Sequence, residues 1–331
     1  MTPPPSQSAG ALGVVSTPPS IEIEDAPCPL GCPRDDRFVL VATDRLHHIP
    51  GRYPVVRCAG CGLMRTNPRP TPETVGIYYP ENYTPFASTQ VRPPQHRSPR
   101  RRKLLRRLRR LILNVDPHRL PAVAPGRLLE IGCGAGNFLA RMEKRGWDVA
   151  GIEASPTAAE SARRAGFVVQ NRRLECAADP AERYDLVAGW EVLEHLHDPV
   201  ASLRLLARWT VPRGWLALSV PDAGSIDFKM FKHAWYGLDV PRHLFHFTLP
   251  TLTAVLRRGG WDVDNVFWHK NSKNLLVGLA SLGRDRGWVR WPSYVEAIGN
   301  GQRQVGARLA LGAVLGWLRA SGRMTIWARR T

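Results

Sequence analysis

Residues 128–137 read Leu-Leu-Glu-Ile-Gly-Cys-Gly-Ala-Gly-Asn, and this stretch constrains the chain more than any other. A short apolar run carries a carboxylate and passes straight into a glycine-rich turn. Glycine accepts backbone angles closed to other residues and lets the main chain approach a ligand, so such a turn joins a buried strand to a helix whose N-terminus faces a ligand. A second apolar run follows and ends at Glu153. A carboxylate there can accept both hydroxyls of a ribose. The two features together point to a cofactor containing a nucleoside.

Glycine spacing separates the candidate cofactors. A dinucleotide fingerprint, G-x-G-x-x-G, needs its third glycine at 137, where this chain has Asn137. No phosphate-binding lysine follows, which argues against a P-loop. The glycines stand instead at 132, 134 and 136. Downstream, Phe138 to Arg145 has helical spacing, and Trp147 to Ile152 reads as a strand. Ser155-Pro156 has the cap and first-turn residues that open a helix. Further strands are expected at Phe167 to Val169, Tyr184 to Glu191, Trp215 to Pro221, Trp261 to Trp268 and Met324 to Arg329. A helix opens at Thr248-Leu249-Pro250. Strands alternating with helices predict an α/β fold with a doubly wound, mostly parallel sheet.

The pattern E-x-G-C-G-x-G at 130–136 resembles motif I of the class I S-adenosylmethionine-dependent methyltransferases. The segment YDLVAGWEVLEHLHDP, residues 184–199, resembles the fourth-strand motif of the branch that includes ubiquinone-type O-methyltransferases. The resemblance covers residues 127–331 in outline. It implies a Rossmann-like, seven-stranded methyltransferase sheet with S-adenosylmethionine as cofactor. By the same resemblance Glu130 and the loop Gly132, Cys133, Gly134 and Gly136 face the cofactor's amino-acid end. Glu153 binds the ribose, and Trp190 and Glu191 lie near the methionine moiety. Cys133 is small and apolar enough to fit inside such a loop.

Cysteine spacing is the second strong signal. Cys28 and Cys32 form one close pair, and Cys58 and Cys61 another. Two such pairs suit a tetrahedral Cys₄ zinc site of structural type, and Gly31, Gly60 and Gly62 supply the tight turns. His47 and His48 lie between the pairs and read as loop residues, and Cys176 reads as a small hydrophobe. The N-terminus is rich in Pro and Ser and lacks a basic start with an apolar core, so a secretory signal is not expected and a cytoplasmic location is.

Residues 57–83, RCAGCGLMRTNPRPTPETVGIYYPENY, resemble the N-terminal region of zinc-ribbon bacterial methyltransferases, a group that includes deoxysugar C-methyltransferases. This implies that the ribbon and Tyr78, Tyr79 and Tyr83 help to cover the substrate, although these tyrosines equally suit ordinary packing. The segment PRHLFHFT at 241–248 is similar to the substrate-side segment of the same group, which implies that His243 faces the acceptor. His195 follows the fourth strand, at the methyl end of the cofactor. An acceptor hydroxyl or acidic carbon must lose a proton, and histidine is the natural base near neutral pH. His195 and His243 are therefore the candidate catalytic residues. His246 suits capping or packing.

The expected organisation is a tail at 1–20, a zinc ribbon at 21–86, a basic linker and amphipathic helix at 87–120, and the methyltransferase domain at 121–331 with an insertion at 270–322. The net charge is +18, and 40 of the 46 basic residues are arginine, a compositional bias that does not by itself imply nucleic acid. Residues 101–115 place leucines on one helical face and arginines on the other. Three readings fit: packing on the domain, peripheral contact with the inner membrane face, or contact with RNA phosphates. The insertion's two apolar runs fall short of the roughly 18–20 residues a membrane span requires. The expected activity is methyl transfer to a small-molecule, sugar or glycan, or lipid-linked acceptor. The alternative is an RNA methyltransferase or a zinc-ribbon nucleic-acid-binding protein. Against it, residues 190–193 are Trp-Glu-Val-Leu, with no base-methylating N-P-P-Y or D-P-P-Y, and no aromatics interleave with the basic cluster.

Overall fold

The computed structural model describes residues 20–80, 118–269, 273–288 and 321–331, with positions 312, 314, 316 and 317. The expected helix at 101–115, the linker before it, Tyr83 and most of the second apolar run of the insertion lie outside the described residues.

The N-terminal part holds five short strands: β1 (Ile23–Glu24), β2 (Asp36–Ala42), β3 (Tyr53–Cys58), β4 (Met64–Thr66) and β5 (Arg69–Pro70). The rest alternates: β6 (Arg127–Ile131), α1 (Asn137–Glu143), β7 (Asp148–Glu153), α2 (Pro156–Arg164), β8 (Val168–Asn171), β9 (Tyr184–Trp190), α3 (Pro199–Trp209) and β10 (Thr210–Pro221). Then follow α4 (Ile226–Phe231), β11 (Phe245–His246), α5 (Leu249–Arg258), β12 (Trp261–Trp268), α6 (Lys273–Asp285) and β13 (Arg323–Arg330).

The larger sheet has seven strands in the order β12-β13-β10-β9-β6-β7-β8. Strands β8, β7, β6, β9 and β10 run parallel, and β13 lies antiparallel between β10 and β12. The chain enters at β6, winds out through β7 to the edge at β8, then returns to β9 on the other side of β6. That reversal leaves a crevice at the carboxyl ends of β6 and β9, where open α/β sheets bind ligands. The sheet is covered on both faces, which is why its strands read as continuous apolar runs. Leu129, Val187 and Leu216 pack with Leu203 and Leu206 of α3 and Leu252 of α5. Leu128 and Leu186 pack on the opposite face with Phe138 and Leu139 of α1 and Ala162 of α2.

Local chemistry starts the helices where expected. Ser155 Oγ accepts from Ala158 N at 3.4 Å, and Asp198 Oδ1 from Ala201 N at 2.8 Å, each followed by proline in the first turn. Thr248 and Thr251 make a reciprocal capping box for α5. The fifth strand of this sheet begins earlier than its apolar run suggests. Thr210 already pairs with Tyr184, and the register breaks before Trp215.

One pairing had no local signal. The smaller sheet has the order β11-β4-β3-β2, so a strand from the segment after β10 completes the N-terminal sheet. Phe245 lies opposite Arg65 and His246 opposite Met64, and Thr66 N donates to Leu244 O at 3.0 Å. The N-terminal part is thus joined edge-on to the segment that carries His243. Helix α6, the first apolar run of the insertion, is tied to the same part. Arg45 Nη2 lies 2.7 Å from both Ser281 Oγ and Asp285 Oδ1. Among the described residues no helix is long and apolar enough to cross a membrane.

Candidate active site and metal centre

The glycine turn after β6 is built as its sequence requires. Gly132, Gly134 and Gly136 have φ of 65°, 53° and 81°. A Cβ at Gly132 would stand 2.6 Å from Val192, and one at Gly136 2.7 Å from the Phe167 ring, whereas a Cβ at Gly134 would meet nothing within 4 Å. The turn therefore packs tightly at both ends and presents an open backbone edge in the middle. Glu153, at the end of β7, is fixed beside that edge. Its Oε2 accepts from Gly134 N and its Oε1 from Ser155 N, both at 2.8 Å. Burial raises its pKa, against the opposing pull of the Ser155, Gly134 and Ala154 amides. Each oxygen keeps a second lone pair for a ligand hydroxyl.

Glu130 is 3% exposed, its Oε2 has no hydrogen-bond partner, and burial holds its carboxyl well above the usual range. Trp190 Nε1 is likewise buried without a partner. The Trp190 ring stands edge-on to Phe138 at 5.2 Å and to His118 at 4.8 Å. These two unsatisfied groups and the open edge at Gly134 are what a cofactor with ammonium, carboxylate and ribose hydroxyls would complete. Glu191 differs. It sits at φ 59°, and its oxygens already bond Ser219 Oγ at 3.0 Å and Arg323 Nη2 at 2.8 Å. Cys133 is buried, and burial pushes its thiol pKa up, so it packs inside the turn as a small apolar residue.

A second cluster brings together both candidate histidines. Their rings lie 4.6 Å apart, edge to face. His195 Nδ1 is 2.8 Å from the Tyr79 hydroxyl and 3.1 Å from Arg242 O. Burial, reinforced by His243, lowers its pKa to about 3, so its ring is neutral at physiological pH. His243 Nδ1 lies 2.9 Å from Gly237 O, which can only accept, so Nδ1 carries the proton and Nε2 is the basic nitrogen. Nε2 faces Asp239 Oδ2 at 3.8 Å and Glu194 Oε1 at 4.0 Å. His246 Nε2 lies 3.1 Å from Thr66 Oγ1 and burial takes its pKa to about 3, which is a packing role.

Beneath these rings Arg242, fully buried, bonds Asp44 at 2.5 and 3.1 Å, Asp239 at 2.6 and 3.0 Å, and Tyr78 O at 3.1 Å. Burial works against the Asp239 carboxylate, but the Arg242 bonds hold its pKa below the ordinary value. Tyr78 pairs through its hydroxyl with Tyr53 in the interior, while Tyr79 reaches the site. The partners Asp44 and Asp239 carry no motif. Tyr79 and His195 are separated by 116 positions, and Asp44 and Arg242 by 198. The Tyr-rich stretch was the one signal for Tyr79.

The four cysteine sulfurs of the N-terminal part all lie within 4.8 Å of one another. Gly31 N donates to Cys28 O at 2.9 Å and Gly62 N to Cys58 O at 2.8 Å, with φ of 79° and 77°, forming two knuckles. A Cβ at Gly60 would lie 3.3 Å from Cys32 Sγ. Cys28 Sγ and Cys61 Sγ lie 3.5 Å apart, across the pairs. Tetrahedral Zn–S bonds of ~2.3 Å put sulfurs ~3.8 Å apart, so the donor set and spacing fit such an ion. His47 lies in the loop capped by Asp44, and Cys176 is exposed.

A profile of the methyltransferase domain family matches residues 97–266, about half the chain. This chain belongs to that family. The sheet order and the glycine turn give this methyltransferase the class I, S-adenosylmethionine-dependent fold. It is 33% identical over 152 residues to a ubiquinone biosynthesis O-methyltransferase of Bordetella avium, covering 41% of this chain and 62% of that one. With the enzyme of the same name from Nitrosospira multiformis it shares 30% identity over 174 residues, 48% of this chain and 71% of that one. The methyltransferase thus spans between about three-fifths and three-quarters of the length of these two relatives. A solved S-adenosylmethionine-dependent methyltransferase from Mesorhizobium loti aligns over 64% of this chain and 94% of its own, with 19% identity and a TM-score of 0.44.

Proposed function

We propose that the chain transfers a methyl group from S-adenosylmethionine to a hydroxyl of a small-molecule acceptor, a class that includes sugar, glycan and lipid-linked hydroxyls. The observation that carries this reading is the basic Nε2 of His243, poised between two carboxyl groups beside the end of β9. It is supported by the two O-methyltransferase relatives. Bound S-adenosylmethionine would supply an electrophilic methyl. The Gly132–Gly136 backbone and Glu130 would receive its amino-acid end, Trp190 would flank the methionine moiety, and Glu153 would hold the ribose. Glu191, with both oxygens occupied, would act there through Arg323. His243 would take the acceptor's proton, and His195, neutral, would orient Tyr79 and the acceptor. The ribbon at 21–86 would hold one structural zinc ion through Cys28, Cys32, Cys58 and Cys61.

The direct test incubates the protein with methyl-tritiated S-adenosylmethionine and four acceptor classes: a catechol, a nucleotide-linked deoxysugar, a polyprenyl-linked sugar and transfer RNA. Label is expected in a small-molecule hydroxyl. Label confined to RNA would sink the reading. Glu153→Ala is expected to weaken S-adenosylhomocysteine binding by roughly 10–100-fold, the worth of hydrogen bonds to a charged acceptor. Unchanged affinity by calorimetry would place the ribose elsewhere. For the metal, elemental analysis is expected to find about one zinc per chain, since a Cys₄ site is closed and structural. Cys58→Ser is expected to lower both zinc content and melting temperature, and full occupancy in that variant would remove Cys58 from the ligand set.

A further inference from the structure

Glu194 is the least explained group in the site. It has no exposed surface, and neither side-chain oxygen has a hydrogen-bond partner. An interior carboxyl left without a hydrogen bond is expensive, and the fold keeps one beside the basic nitrogen of His243, at 4.0 Å. The backbone around it is held firmly. Glu194 sits in the middle of a short helical turn after β9, Leu193–His195, and its carbonyl accepts from Leu244 N at 2.8 Å, next to His243 itself. We infer that Glu194 is a positioning residue whose carboxyl is electrostatically coupled to His243 and so sets the protonation of the base. The inference rests on the reading of His243 as the base.

The charge balance supports it. Glu194 faces Glu191, Arg323 and Asp239, and burial, followed by the Glu191 charge, holds its pKa well above the carboxylate range. His243 faces Glu194, Asp239, the neutral His195 ring and the neutral His246 ring, and its neighbour Arg242 is already neutralised by Asp44 and Asp239. Glu194 therefore favours its neutral form, with Nε2 of His243 4.0 Å away. In the reaction the acceptor's O–H bond breaks and its proton goes to Nε2 of His243. The electron pair left on oxygen forms the new C–O bond as the methyl–sulfur bond breaks. His243 is then a cation next to Asp239 and Glu194, and the one proton that the reaction sets free leaves to solvent from the Glu194 carboxyl, whose anion pairs with the imidazolium. The unpaired group of the resting site thus finds its partner only after proton transfer, which favours the transition state over the bound substrate. Such a pair titrates as a unit.

The test needs no acceptor. Histidine ring ¹⁵N NMR of the S-adenosylhomocysteine complex follows His243 with pH in the wild type and in Glu194→Gln, which cannot ionise. The variant is expected to keep S-adenosylhomocysteine affinity, to titrate in one step, and to lower the His243 pKa by about one unit. A titration that does not move down overturns the inference. Should Glu194→Gln lose affinity or fold, difference infrared spectra of the wild type and His243→Gln decide. A protonated carboxyl band that shifts when His243 is removed supports the pair, and an unmoved band refutes it. A coupled titration in a protein whose His243→Gln variant still turns over would remove the base and leave the pair.

Discussion

Asp44→Ala is expected to destabilise the protein by about 3–5 kcal/mol, because it removes one partner from a fully buried ion pair. Both side chains of the Asp44–Arg242 pair have 0% exposure. The cost arises from what stays behind: a guanidinium in the interior with one carboxylate, Asp239, where there were two. The substitution also frees three backbone amides, Leu46, His47 and Ile49, that Asp44 accepts from at 3.0, 3.1 and 3.4 Å. Burial opposes the Asp44 charge, but the Arg242 and amide bonds outweigh it and lower its pKa in the folded protein. The sign follows. A carboxyl with a depressed folded pKa contributes stability above its unfolded pKa of about 4 and loses it as pH falls through the folded value. Urea unfolding should therefore show the full gap between wild type and variant at neutral pH and a shrinking gap below about pH 4. A gap under about 1 kcal/mol at pH 7 would mean that Asp239 alone satisfies Arg242, and that the pair is not what joins the ribbon to the site.

The parts of this molecule legible in its sequence are those set by local backbone chemistry. The glycine turn at 132–136, the caps at Ser155, Asp198 and Thr248, and the apolar runs of β6, β9 and β10 each depend on residues a few positions apart. Their signals survive in one sequence because neighbouring residues meet the same physical demand. The Cys₄ cluster was legible for a related reason, since each knuckle needs two thiols and a glycine within five positions. What was not legible depends on contacts between distant segments. Nothing in Phe245-His246 announces a strand, because its partner, Met64-Arg65, lies on the ribbon. Nothing near Asp44 shows that its charge belongs to Arg242. Glu194 is the sharpest case. It lies inside the 184–199 segment without a signal of its own, and only the structure shows that both its oxygens lack partners and that His243 is its neighbour.

His243→Gln is expected to lower turnover by roughly 10²–10⁴-fold, the usual contribution of a positioned general base. Glutamine can still donate an N–H to Gly237 O, so the loss should fall on proton transfer and not on folding, and S-adenosylhomocysteine affinity should stay at the wild-type level. The comparison that gives the number meaning is His195→Gln. His195 occupies the same pocket, but with a pKa near 3 its ring is a weak base at neutral pH, and its Nδ1 is engaged with Tyr79 and Arg242 O. Its replacement is expected to cost less than His243→Gln and to act on acceptor binding, seen as a raised KM with a smaller fall in kcat. Both variants are to be assayed with whichever acceptor takes label from methyl-tritiated S-adenosylmethionine. Equal losses in kcat would mean that the two rings work as one unit. Near wild-type turnover in both would mean that neither is the base and that the site accelerates transfer by alignment alone, holding an already ionised acceptor in line with the sulfonium. In that case the surroundings of His243, with Asp239 and Glu194 within 4.0 Å of its free nitrogen, would be a structural arrangement of the ribbon junction.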